Sequence, residues 1–160
     1  MAQQLKDVIK SEYIKCAQDP VYFLKKYCMI QHPIKGKIPF SLYPFQEVTV
    51  NEFKDNRFNI ILKARQLGIS TLTAGYSLWL MTFFQDKNIL VIATKQDTAK
   101  NLVTKVRVMH ANLPSWLKQK CVEDNKLSLR YVNGSQVKAV SSGPEAARSE
   151  ALSLLILDEA

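Results

Sequence analysis

The 160-residue chain is poor in the side chains that a resident metal or a disulfide framework needs. It has two histidines, His32 and His110, and three cysteines, Cys16, Cys28 and Cys121, with no Cys-x-x-Cys pair. That scarcity argues against a zinc site and makes reduced thiols in a cytosolic setting the expectation. No apolar run reaches the ~18 residues that a membrane-spanning helix takes, so no membrane segment is expected. The opening stretch MAQQLKDVIKSEYIKCAQ is charged throughout and does not read as a signal peptide. Internal repeats and low-complexity tracts are also missing, which excludes solenoids and simple linkers.

What is present is ordinary globular material: 47% hydrophobic and 22% charged residues, in a length that suits one domain with a real core. The net charge of +8 is uneven, with the excess in residues 1–40 and 81–120 and a net acidic stretch from 121 onward. Such a balance suits a polyanionic partner such as nucleic acid, and equally suits solvated lysines on helix surfaces.

Periodicity predicts amphipathic helices over 4–18 and 20–30, broken at Asp19-Pro20, where Asp19 caps the second. QHPIKGKIPFSLYP (31–44) reads as a loop or extended linker, and 44–55 as a helix with Pro44 in its first turn. RFNIILKA (57–64) reads as a strand, 69–84 as a buried helix, NILVIAT (88–94) as a strand and 96–110 as a helix. Asn133-Gly134 separates two alternating runs, the signature of a hairpin with a type I′ turn. ALSLLILDEA (151–160) reads as a fully buried strand running into two acids. Buried strands alternating with helices predict an α/β domain with a mainly parallel sheet flanked by helices, and ligands in such sheets bind beyond the carboxyl ends of the strands. A small helical N-terminal segment with its linker (1–40) would precede the main domain (41–160).

Two unusual stretches lie at such strand ends. KARQLGIST (63–71) reads as a phosphate-binding loop with a part displaced. Aligned on G-x-x-x-x-G-K-[ST], the usual lysine position holds Ile69 and the first glycine position holds Lys63. Backbone amides from Ala64 through Gln66, Leu67, Gly68 and Ile69 into the next helix can cradle phosphates. Ser70, or Thr71 beside it, can reach Mg²⁺. Lys63 or Arg65 must then supply the cation. LLILDEA offers Asp158 for the Mg²⁺ shell and Glu159 as the base for an attacking water. Gln46, in LYPFQEV, can read an adenine edge with Tyr43 or Phe45 packed on its face. Arg148 can act as a charge-neutralising finger on the γ-phosphate.

The stretches DPVYFLKKYCMIQHPIKGKIPFSLYPFQE, KARQLGIST and LLILDEA resemble, in order and spacing, the N-terminal ATPase region of a tailed-phage large terminase subunit. That family is the motor that packages DNA into the procapsid. The resemblance implies an ASCE-type P-loop NTPase using ATP and Mg²⁺, with double-stranded DNA, the portal protein and the small terminase subunit as partners. It further implies a homo-oligomeric ring in the host cytoplasm, with no membrane. Some members carry a lysine at the start of the loop and an apolar or aromatic residue before the hydroxyl, as Lys63 and Ile69 stand here; others keep the lysine before the hydroxyl, with an arginine matching Arg65 as a further catalytic residue. In the family an RNase H-like nuclease domain follows the acid pair. The given residues reach only to the acid pair, so no nuclease activity is expected of them, and the ATPase is expected to be incomplete. A helicase-like DNA-dependent ATPase shares the glutamine, loop and acid motifs but normally retains the loop lysine. An inactive nucleotide-binding fragment or basic binding module is the non-enzymatic alternative.

Overall fold

The computed structural model describes residues 2–142 and 151–158. Helix α1 (Ala2–Gln18) and helix α2 (Pro20–Tyr27) meet at Asp19, whose carboxylate accepts from the Tyr22 amide at 3.0 Å while Pro20 occupies the first turn. This is the expected break. The second helix ends three residues earlier than its periodicity predicts, because Cys28 turns extended and Met29–His32 (β1) pairs antiparallel with Gly36–Pro39 (β2). The stretch read as a linker is thus in part a hairpin. Its turn is closed by His32, whose Nδ1 accepts from the amides of Ile34 and Lys35, and by Gly36 at φ 72°.

Helices α3 (Pro44–Asp55), α4 (Ile69–Phe83) and α5 (Gln96–Ala111) follow the predicted bounds closely, as does strand β3 (Asn88–Ala93). α4 is apolar around its whole circumference, and such a helix must be enclosed. Leu72, Ala74, Leu78 and Met81 are fully buried, and Trp79 nearly so. The hydroxyls of Thr73, Ser77 and Thr82 are satisfied inside the helix by the carbonyls four residues back. α2 presses on α4 at Gly75, where a Cβ would stand 2.6 Å from a methyl of Leu24. α1 is tied in by Trp79 Nε1, which donates to the Cys16 carbonyl at 2.9 Å, one of the carbonyls left open at a helix end.

The main sheet has the order β4-β5-β6-β3-β7, with β4 at Cys121–Asp124, β5 at Ser128–Tyr131, β6 at Gln136–Ser141 and β7 at Leu154–Asp158. β3 is parallel to β6 and β7, whereas β4–β5 and β5–β6 are antiparallel. The sheet is therefore mixed and not mainly parallel. Its core face presents Ile89, Val91, Val137, Ala139 and Ile156 to the buried residues of α4 and α5. The β5–β6 turn is not type I′, since that turn needs positive φ at both central residues. Only Gly134 has it, at 83°, and its amide bonds the Tyr131 carbonyl, which is the three-residue form closed by a left-handed glycine.

Two further expectations change. β7 is an edge strand, with Leu155 44% and Leu157 59% exposed, and not a fully buried one. RFNIILKA forms no strand: residues 57–64 have no regular structure and pair with nothing in the sheet. β-branched content favours a strand only where another strand is available to pair.

The N-terminal layer is pinned by one carboxylate. Glu12 Oε1 accepts from Tyr22 Oη, Tyr27 Oη and Lys26 Nζ, each at 2.7 Å. The Lys26 bond, then the two tyrosines, hold its carboxyl down at about 2. A carboxylate depressed on folding adds stability that is fully present above its unfolded pKa and is lost as pH falls through its folded one. The window here runs from about 4.5 to about 2. Thermal melts across that range are expected to show the wild type losing its advantage over Glu12→Gln on acidification. A melting difference independent of pH would remove Glu12 from this role.

Candidate nucleotide site

The loop between α3 and α4 is built around two left-handed residues, Gln66 at φ 64° and Gly68 at φ 72°. Gly68 caps α4, and its carbonyl takes the first helical bond from the Leu72 amide at 2.9 Å. The next amides, from Ile69 to Thr71, are those a helix start leaves without internal acceptors, where the helix dipole favours an anion. Ile69, at the usual lysine position, is 7% exposed and belongs to the core. The loop is therefore plugged into the core at the point where the usual pattern places a cation. Ser70 and Thr71 are half-buried, while Ala64, Arg65, Gln66 and Leu67 are exposed.

Lys63 and Asp158 line one groove of about 730 Å³, between the chain leading into the loop and strand β7. The parallel register sets Asp158 beside Ala93, on the core face of the sheet with Ile156. A third charge joins them that the sequence did not single out. Lys105 on α5 is half-buried, and burial holds its ammonium below the ordinary lysine range. Asp158 acts on it in the opposite sense, and Lys63 adds to the lowering. Lys105 thus lies within electrostatic reach of both. Nothing in KNLVTKVRV marks it; only the β3–β7 register, with α5 across the same face, brings it there.

Gln46 also reaches the site, by a route the motif did not suggest. Its side chain is 3% exposed. Oε1 accepts from the Tyr43 amide at 3.0 Å, and Nε2 donates to the Leu67 carbonyl at 2.9 Å. The amide therefore faces the loop backbone and braces it. A Cβ on Gly68 would stand 2.9 Å from the same Nε2, so glycine serves there both for its φ and for the close approach. Tyr43 and Phe45, 64% and 42% exposed, stack on one another at 5.8 Å and 6° just ahead of Gln46. They offer open ring faces to a flat ligand.

Arg148 and Glu159 lie outside the described residues. Arg65 makes no ion pair among the described residues. Among the described residues no three His, Cys, Asp or Glu side chains are grouped to hold a metal by themselves. Ser70 and Thr71 are not among the residues lining the groove with Lys63 and Asp158. Among the described residues no helix is long and apolar enough to cross a membrane.

No family model matches the chain. The fold does match a solved structure, the crystal structure of the HK97 bacteriophage large terminase, with a TM-score of 0.70 and 23% sequence identity. The match covers 89% of this chain and 31% of that one, so the chain spans about a third of the protein it resembles.

Proposed function

We propose that this chain is the nucleotide-binding part of a phage large terminase, taking ATP with Mg²⁺ and hydrolysing it to move DNA. The observation that carries this reading is one groove lined by both Lys63 and Asp158, beside a helix start opened by a left-handed glycine, in a fold matched by a large terminase. In this reading the amides from Gly68 into α4 cradle the phosphates, and Lys63 neutralises the β and γ groups. Asp158 and Ser70 hold the Mg²⁺ shell, and Glu159 orients the attacking water. Arg65 and Arg148 meet charge that develops as the γ-phosphoryl leaves. The Tyr43–Phe45 pair takes the adenine face. The basic balance of the chain suits DNA as the partner.

Calorimetric titration with ATP, with and without Mg²⁺, tests the reading. One ATP per chain is expected, bound only when Mg²⁺ is present. An equal affinity for ATP in EDTA would remove Asp158 from the metal shell, and no binding in either buffer would overturn the proposal.

A further inference from the structure

Asn133-Gly134 is the only Asn-Gly pair in the chain. Asparagine is a thermolabile residue, and a following glycine makes it more so, because no Cβ hinders the glycine nitrogen as it approaches the asparagine side chain. The Gly134 nitrogen gives up its proton to solvent and bonds to Cγ of Asn133. The side-chain nitrogen leaves as ammonia, and a succinimide ring remains. One water then opens the ring at either carbonyl. The product is aspartate, or isoaspartate with the backbone running through the former side chain.

The fold employs both partners of that reaction. Asn133 Nδ2 donates to the Met81 carbonyl at 2.8 Å and to the Phe84 carbonyl at 3.3 Å, where α4 ends and leaves its carbonyls open. Its Oδ1 accepts from the Ser135 amide at 3.0 Å, so the carboxamide is held at both ends. Ser135 Oγ adds a bond to the Phe84 carbonyl at 2.8 Å. The Gly134 amide, whose proton must leave, donates to the Tyr131 carbonyl at 3.1 Å. Attack requires these bonds to break together, which means opening the turn.

We propose that Asn133 is a deamidation site that the closed β5–β6 hairpin silences, and that conversion after opening keeps the hairpin from closing on α4 again. The reactants are the chain itself and one water. An ionised carboxylate only accepts hydrogen bonds, so neither bond to α4 can re-form. It also sets negative charge against two carbonyls at the negative end of a helix. Asp86 adds a second carboxylate there, packed so closely that a Cβ on Gly134 would collide with its Oδ1. Isoaspartate would insert an extra backbone methylene into that same tight turn. The helix released at its far end is the one that begins at Gly68, whatever ligand the Gly68 loop takes.

The test incubates the intact chain at neutral pH, folded in buffer and denatured in guanidinium chloride. Conversion at residue 133 is read by peptide mapping, with isoaspartate identified by enzymatic methylation. Conversion is expected to be ~100-fold or more slower in the folded chain, and to follow the open fraction as denaturant is raised. Exchange of the Gly134 amide is expected to be slowed by a similar factor. Asn133→Asp carries the product's charge and is expected to melt ~5 °C or more below wild type. Asn133→Ser loses the bonds without adding charge and is expected to melt between the two. The rates come from the wild type, so they do not need either variant to fold. Wild-type chain converted while denatured is then returned to buffer, and is expected not to regain the native melting transition. Equal conversion in folded and denatured chain would overturn the silencing, and an unconverted residue 133 in the denatured chain would remove the site. Converted chain that regains the native transition, or Asn133→Asp that melts with the wild type, would overturn the trap.

Discussion

Lys63→Ala is expected to weaken Mg²⁺-dependent ATP binding 10- to 100-fold, the ~1.5–3 kcal/mol of a lost charge-assisted bond. Hydrolysis is expected to fall below detection. The reasoning starts from Ile69. Its burial leaves the usual lysine position without a cation, and of the cations that share a groove with Asp158, which are Lys54, Arg57 and Lys63, only Lys63 belongs to the loop. Arg65 is exposed on the loop itself, so Arg65→Ala should leave affinity nearly unchanged and act on turnover. Ile69→Ala should lower stability by ~2–4 kcal/mol as a core truncation, with little effect on affinity in the fraction that remains folded. Titration calorimetry and a phosphate-release assay on the three variants decide among them. If Lys63→Ala binds and hydrolyses as wild type while Arg65→Ala does not bind, the displaced role belongs to Arg65.

Gln46→Ala is expected to weaken ATP and inorganic tripolyphosphate by the same factor, about tenfold, which corresponds to one hydrogen bond of ~1.4 kcal/mol. Tripolyphosphate has no base. A glutamine that reads adenine would affect ATP alone, whereas one that holds the Leu67 carbonyl sets the shape of the phosphate loop for both ligands. The two outcomes are exclusive, and parallel titrations distinguish them. Loss confined to ATP would return Gln46 to the base. Adenine recognition would in either case fall more heavily on the exposed Tyr43–Phe45 pair.

The contrast between these two residues shows how far the sequence carries. Elements whose partners are close in sequence were legible: α4 from its unbroken apolar character, α5 from its periodicity, the Asp19-Pro20 break from capping chemistry. The loop and the Asp158 strand end were singled out from their residue types, and the structure puts Lys63 and Asp158 on one groove. What was not legible depends on contacts between distant residues. Gln46 was singled out by its motif, but its direction is set by a carbonyl 21 residues away. Lys105 is one lysine among several until the β3–β7 register places Asp158 near it. The β1–β2 hairpin was hidden by prolines and a glycine that read as loop, yet Pro39 ends a strand and Gly36 makes the turn. RFNIILKA was read correctly for what it favours and wrongly for what it does, since pairing is a property of two segments.

The boundary drawn at residue 40 falls on a side chain that is 3% exposed. Phe40 sits in the common core, its amide donates to the Cys28 carbonyl at 2.9 Å, and Gly75 of α4 lies against its ring. A cut there would open the wall around α4, the helix that follows the Gly68 loop. The first forty residues are thus bearing surface for α4 and not a detachable appendage. Exchange of the N-terminal layer between relatives would have to carry compensating changes in Gly75 and Trp79. The α1–α2 layer is thus the surface on which α4, and the loop that opens it, rests.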